Sequence, residues 1–424
     1  MTSMQARFDR ARQMLNKGDF FRILTHYDVD GVCSAGIIAD YLRRNGKHFH
    51  VSFFRNGEQR DLIDEARKSD YVILTDLGSA IIKELSGNAI VLDHHNPPGD
   101  NEEVVHINPH LFGYDGSTEV TATTLSYMLV NDKRYAWCFF AGILGDKEYV
   151  PGKGPIGLNK EIMESLHIAP VFDFPFYGSL RDALFYSVQP FFPGISGKWD
   201  SIDHILKKLG LEKTKDVRAL KEEEKVKLGS YLALNLIKNS KIPDAGKFIV
   251  DLDFVVDGMS VRYITELIDS ACRTDNQSVA LSYVFGDKEA RDRMEVLRRD
   301  YLGKVIEELY SMLSGMLSTE HVQYFYAKSS YLASTVATIG SLYLLDPSKV
   351  TLAMHIDSEV TISARIHRSM MDKIDLSVIM KKVAGSLGGH GGGHSVAAGA
   401  TVPRGKEEEF VNMVEEEVKK LLNK

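Results

Sequence analysis

Short apolar runs alternate with helical periodicities along the first half of the chain, and acidic or imidazole residues stand at the end of several runs. Phe20–Thr25 is a short apolar run of strand length. Val32, Ala35, Ala39 and Leu42 then recur at helical spacing until Gly46. His48–Phe54, Tyr71–Thr75 and Ala89–Leu92 read as further strands, with helical stretches at 62–68 and 81–85 between them. This alternation predicts an α/β fold with a doubly wound parallel sheet. In such a sheet, functional groups gather beyond the carboxyl ends of the strands.

The pattern changes near residue 196. Lys, Glu and Leu dominate through the next forty-odd residues, as in Lys207-Lys208 and Glu222-Glu223-Glu224-Lys225, which reads as solvated connector helices. A second α/β unit follows. Val261–Ala271 and 289–317 are helical, Val322–Ala327 is a strand, and 333–345 is a helix rich in small residues. Val350–Ile356 and 360–367 are strands. Period-2 alternation in the second puts Ser363, Arg365 and His367 on one face, open to a ligand. A glycine-rich loop, Gly388–His394, precedes a strand at 396–402, and an amphipathic helix closes the chain. The expected domains are 1–195, 196–255 as a helical connector, and 256–424.

Composition narrows the function classes. The 424 residues carry a net charge of -7, so no global positive field draws in nucleic acid, and a polyanion must be held by local basic groups or bound metal. The three cysteines, Cys33, Cys138 and Cys272, are widely spaced. That argues against a disulfide framework and against structural zinc, and each is expected to be a buried small apolar residue. No apolar run reaches the roughly 18 residues that a membrane span requires, and a cytoplasmic protein is the expectation.

Four segments carry the chemistry. His26, Asp28 and Asp30 fall at i, i+2, i+4 and face one side if the chain is extended there; capping of the helix after Gly31 is the plain alternative. Asp76 ends what reads as a central strand; alone it reads best as a helix cap, and within the set of four segments as a carboxylate shared by two ions. Asp93-His94-His95 follows another strand directly. Asp146 closes Gly142–Gly145, whose small residues let backbone approach a crowded site. So many like charges close together require a cation. Mixed imidazole and carboxylate ligation favours Mn²⁺ over Mg²⁺ and leaves Zn²⁺ open. Two ions would activate a water for attack at phosphorus. In the second unit, the backbone N–H groups of Gly391, Gly392 and Gly393 suit phosphate; His390 and His394 read as zinc ligands or phosphate donors, and the lack of partner cysteines and Arg365 on a nearby strand favour phosphate.

These residues resemble the DHH phosphoesterase superfamily, in particular its RecJ-like nucleases of archaeal type. His26-x-Asp28-x-Asp30-Gly31 is similar to that family's first motif and Asp76 to its second. Asp93-His94-His95 is similar to the third and Asp146 to the fourth, while Gly388–Gly399 resembles the loop of the DHH-associated domain. The resemblance implies one ion on His26, Asp28 and Asp76, and another on Asp30, Asp76, His94 and Asp146. It implies His95 facing the scissile phosphate with Asp93 orienting the histidines. Arg365 and His394 would clamp phosphate across an interdomain cleft, with Arg273 a further binding residue. The implied activity is Mn²⁺-dependent 5′-to-3′ exonuclease action on single-stranded DNA, in repair or replication. The alternatives are an oligoribonuclease or cyclic-dinucleotide phosphodiesterase, and a scaffold for GINS and the replicative helicase.

Overall fold

A computed structural model describes residues 3–55 and 58–422. Two compact units are present: residues 1–173 with 251–299, and residues 174–250 with 300–424. This division differs from the three consecutive blocks expected. Residues 251–299 pack with the first unit, and 196–250 share the second with 174–195.

The first unit is built on a five-stranded sheet. Its elements are α1 (Met4–Lys17), β1 (Phe20–His26), α2 (Val29–Arg44), β2 (His48–Phe54), α3 (Gln59–Ala66), β3 (Tyr71–Thr75), β4 (Asn88–Leu92) and β5 (Val105–Ile107). The strand order is β2-β1-β3-β4-β5 and every pairing is parallel, as the alternating pattern predicts. Register decides the rest. Thr25 pairs with Thr75, and Thr75 with Leu92, so three strands end level. The residues at or just past those ends, His26, Asp76 and Asp93, therefore emerge side by side. The turn after β3 is special: Asp76 has φ +57°, and Gly78 has φ +111°.

Helices α4 (Ala122–Val130), α5 (Ala136–Asp146) and α6 (Gly157–Ser165) complete the consecutive part. Apolar residues surround α5, and Phe139, Phe140, Ala141 and Ile143 are wholly buried, so it is a core helix. Asp146 thus lies at the end of a helix and not of a strand. The apolar run before it is longer than a strand needs, and burial on all sides hides the helical period. After the ladder of β6 (Val171–Asp173) with β7 (Asp251–Asp253), the helix Val261–Arg273 packs Ile264, Leu267 and Ile268 into the same core. Cys33, Cys138 and Cys272 are buried and free, and Cys138 together with burial pushes the Cys33 thiol up.

The second unit holds a six-stranded sheet. In spatial order its strands are Leu317–Ser318, Val322–Tyr326, Val350–Ile356, Glu359–Arg365, Ala397–Pro403 and His390–Gly393. Only the pair Val322–Tyr326 and Val350–Ile356 is parallel. The expected glycine-rich loop is the last of these strands, paired antiparallel through Gly391↔Ala400 and Gly392↔Gly399. Glycine is required by space there, since a Cβ on Gly389 would lie 1.9 Å from the Thr401 carbonyl oxygen and one on Gly391 2.5 Å from that of Met380. The strand Glu359–Arg365 stops before His367, which caps a 3-10 turn by accepting from Ser369 N. His367 therefore does not continue the Ser363–Arg365 face. The helices Trp199–Leu209 and Glu222–Asn239 are not solvated connectors, because Ile202, Leu206, Leu228, Leu232 and Leu236 share a core with Phe174, Phe176 and Phe192. The charged residues that set the composition lie on their outer faces.

Candidate metal centre

The turn after β1 and the start of α2 place the first motif. Asp28 is the N-cap, and its Oδ1 accepts from Gly31 N at 3.0 Å. The capping alternative and the ligand alternative are therefore compatible, because the other carboxylate oxygen is free to turn inward: Oδ2 lies 2.9 Å from His26 Nδ1. Gly31 must be glycine, since a Cβ would sit 2.1 Å from the His26 carbonyl oxygen. Asp30 is the second residue of the helix, in its first turn, so the three residues are not one extended face. Its carboxylate accepts from Ala122 N (2.8 Å) and Thr123 N (2.9 Å), the donors left unpaired at the start of α4.

Of the four groups among the described residues whose ligand atoms lie within 4.8 Å of one another, three meet here: His26, Asp28 and Asp76; Asp30, Asp76, His94 and Asp146; and Asp76, His94 and His95, while the fourth, Glu320, His321 and Glu415, lies in the second unit. Asp76 belongs to all three. His94 Nε2 lies 3.2 Å from Asp76 and 3.5 Å from Asp146. Its Nδ1 lies 2.6 Å from the Gly116 carbonyl oxygen, which can only accept, so Nδ1 carries the hydrogen and Nε2 faces the carboxylates. A Cβ on Gly116 would lie 2.0 Å from the His94 carbonyl oxygen. His95 differs from its neighbour: its side chain is 47% exposed against 10% for His94, and its Nδ1 lies 2.8 Å from Asp93 Oδ1.

The electrostatics call for a cation. Left to themselves these groups balance by protons. Burial, helped by Asp76, raises Asp30 to about 7, and burial with Asp30 raises Asp146 well above the carboxylate range. Burial alone would lower His26, but Asp28 and Asp76 outweigh it and raise it to about 11. Burial also opposes ionisation of Asp76, yet His26 and His94 hold it well below the usual range. His26 Nε2 is buried without a hydrogen-bond partner, while His26 Nδ1 lies 2.9 Å from Asp28 and 3.3 Å from Asp76 Oδ2 without the geometry of a good hydrogen bond. Native proteins rarely leave such atoms unsatisfied. Imidazole nitrogens and carboxylate oxygens converging on one buried space fit bound divalent metal.

Several supporting residues escaped the sequence reading. Glu148, 2% exposed, reaches His94 Nδ1 at 3.0 Å and is itself held by Asn159. Ser79 N donates to Asp93 Oδ2, while Asn108 Nδ2 donates to Ser79 Oγ and to the His95 carbonyl. His106, buried and shifted down by that burial, touches the same Ser79 hydroxyl. None of these carries a spacing signal, apart from Glu148 two places after Asp146. The expected value of small residues before Asp146 has a concrete form: a Cβ on Gly142 would lie 2.5 Å from Asp30 Oδ1 and 2.7 Å from the Thr123 side chain. Gly142→Ala is expected to destabilise the protein by about 1–3 kcal/mol, measured by denaturant unfolding; unchanged stability would show that the site gives way freely.

Comparison with known proteins places this geometry. Residues 21–143 match the model of the DHH family N-terminal domain, and residues 322–420 that of the DHHA1 domain. The chain carries a DHH domain and a DHHA1 domain. An uncharacterized protein of Methanocaldococcus jannaschii is 29% identical over 95% of this chain and 94% of its own. Among solved structures, CDC45 from Entamoeba histolytica superposes with TM-score 0.65 at 10% identity, covering 98% of this chain and 99% of that one. Exonuclease RecJ bound to manganese gives 0.61 at 14% identity, over 99% and 95%. RecJ with Mn²⁺ from Thermus thermophilus gives 0.60 at 15%, over 98% of this chain and 55% of that one. These likenesses establish a shared fold.

The remaining predicted residues lie outside the cluster. In the DHHA1 domain, Arg365 is held by the hydroxyls of Ser334 (2.7 Å) and Thr338 (2.9 Å), on the helix Ser330–Tyr343. His394 and His390 are exposed at the two ends of the glycine strand. Arg273, in the last turn of Val261–Arg273 of the first unit, pairs with Asp269 at 3.2 Å. Among the described residues no helix is long and apolar enough to cross a membrane.

Proposed function

We propose that this protein is a divalent-metal-dependent phosphodiesterase, and specifically an exonuclease that degrades single-stranded DNA from the 5′ end in repair or replication. The observation that carries the reading is the sharing of Asp76 between two ligand groups whose other members are His26 with Asp28, and Asp30 with His94 and Asp146. A pair of ions there would activate a water and neutralise charge at phosphorus. Imidazole among the ligands supports Mn²⁺ over Mg²⁺. His95, exposed and held by Asp93, is the group placed to exchange a proton with the phosphate ester. On the DHHA1 side, Arg365, His394 and the N–H groups of Gly391, Gly392 and Gly393 are proposed to hold substrate phosphate, with Arg273 as a further contact. Arg365 would trade its two hydroxyl partners for a phosphate, a stronger charge-assisted bond.

The test is digestion of end-labelled DNA and RNA strands of graded length with Mn²⁺. Mononucleotide release from the 5′ end of single-stranded DNA is the expected result. No cleavage of any strand, with Asp76→Ala indistinguishable from the parent, would sink the enzyme reading. Cleavage confined to strands of a few nucleotides would favour an oligoribonuclease or cyclic-dinucleotide enzyme. Stable association with GINS or helicase components without activity would favour a scaffold. Glu148→Gln is expected to weaken Mn²⁺ binding by about 10- to 100-fold, because His94 loses the carboxylate that holds its Nδ1; calorimetric titration with unchanged affinity would refute that role.

A further inference from the structure

The helix Glu222–Asn239 buries one apolar face and leaves a second one uncovered. Leu228, Leu232 and Leu236 recur every four residues and are wholly buried in the core of the second unit. Val226, Leu234 and Ile237 are instead 58%, 66% and 59% exposed. At about 100° per residue, these side chains and exposed Ser230 fall within an arc of about 80°, roughly opposite the buried leucines. They form one stripe about 16 Å long at a rise of about 1.5 Å per residue. Apolar side chains scattered singly over a surface are ordinary, but a continuous apolar line marks a contact surface.

The charges beside the stripe say what fits it. Glu222 and Glu223, both exposed, stand in the first turn of the helix, and exposed Lys238 stands in the last. Glu224 is different, being held within the chain by Lys215 at 2.5 Å and by Lys221 N at 2.8 Å. On the helical wheel Glu223 and Lys238 flank the stripe on the same side, one at its start and the other at its end. Such a surface is complementary to itself. A second copy laid antiparallel, about a twofold axis between Ser230 and Tyr231, brings Glu223 of each copy to Lys238 of the other. The same placement sets Val226 beside Leu234 of the second copy, with the small Ser230 side chains at the centre, where they let the helices approach. A parallel placement would set Glu222 and Glu223 against their own counterparts. Contact of residue i with j, and of j with i, is what a twofold interface demands, and a foreign partner would require no such symmetry.

We propose that this face is the contact surface of a homodimer, in which the helix Glu222–Asn239 pairs antiparallel with that of a second copy. Removal of the apolar stripe from water drives the association. The Glu223–Lys238 pairs at its rim add little affinity, and they set the direction and register of the two helices. One helix pair is smaller than a permanent interface, so the dimer exchanges with monomer. No residue of the metal centre lies on this helix, and the proposal stands apart from the phosphodiesterase reading.

The experiment is sedimentation velocity of the full chain over a range of concentrations, where a reversible monomer–dimer equilibrium is expected. Leu234→Glu combined with Ile237→Glu should raise the dissociation constant about a hundredfold or more, because it sets like charges inside an apolar contact. Both side chains point away from the core, so the Tm of the monomer and its rise with Mn²⁺ should be retained. Charge exchange gives the sharper test. Glu223→Lys alone, or Lys238→Glu alone, sets like charges against each other and is expected to weaken self-association about tenfold. Mixing those two variants re-forms both pairs and should recover the parent's affinity. A monomer at every concentration would overturn the proposal and leave the face to a foreign partner. A dimer indifferent to all three variants would overturn it as well, since that dimer would use another face. Failure of the mixture to regain the affinity that each variant lost would overturn the antiparallel pairing.

Discussion

Replacing Asp76 with alanine is expected to remove metal-dependent hydrolysis and, with it, the stabilisation that Mn²⁺ gives the folded protein. Asp76 is the only carboxylate common to all three ligand groups, so its loss takes an oxygen from both proposed ions at once. Lewis-acid stabilisation at phosphorus is worth several kcal/mol. At 1.4 kcal/mol per decade, the expected fall in kcat/KM is about a thousandfold or more. Ions held by the folded state alone would stabilise it, so saturating Mn²⁺ at about 100 times Kd should stabilise the parent by about 2.7 kcal/mol. In Asp76→Ala the rise in Tm on adding Mn²⁺ should shrink or vanish. Asp28→Ala is the milder comparison, since Asp28 belongs to one group only and also caps α2. A variant that kept both the Mn²⁺-dependent Tm shift and hydrolysis would refute the shared role of Asp76.

What the sequence made legible follows from where the physics is local. Strands β1 to β4 were readable because short apolar runs carry their own signal, and His26, Asp76 and Asp93 were readable because they stand at the ends of those runs. The helical setting of Asp146 is not legible in the sequence. Helix α5 is apolar on every side, and a helix buried all round shows no period to distinguish it from a strand. The glycine segment at 388–394 reads as a loop because glycine is a poor strand former. Its reason is steric: the Thr401 and Met380 carbonyl oxygens come too close for any Cβ. The helices at 199–239 looked solvated because their charges dominate composition, while every third or fourth leucine or isoleucine was building a core with Phe174 and Phe176. Glu148, Ser79 and Asn108 act through partners that are distant in sequence, and Glu148 through a histidine 54 positions away. Hydrogen bonds of that kind leave no spacing for a single sequence to show.

Removing the His95 side chain should separate chemistry from metal binding, which Asp76→Ala cannot do. His94 is 10% exposed and its Nε2 faces three carboxylates; His95 is 47% exposed and is held through Nδ1 by Asp93. These settings support the proposal of the first histidine as a ligand and of the second as the group that meets substrate. His95→Ala is expected to lower kcat by about 10²–10⁴, the range for a positioned general acid or base, with the Mn²⁺-induced Tm shift retained. Asp93→Asn should lie between this variant and the parent, because Asp93 accepts from Ser79 N on one oxygen and from His95 N on the other, where His95 Nδ1 also lies. An amide has only one oxygen to offer, so either the backbone turn or the imidazole loses its acceptor. The two residues act as a unit, and combining the changes should cost little more than His95→Ala alone. If His95→Ala lost the Mn²⁺ shift together with activity, His95 would be a ligand, in the third of the three groups that Asp76 joins, and the proton would have to be exchanged by another residue.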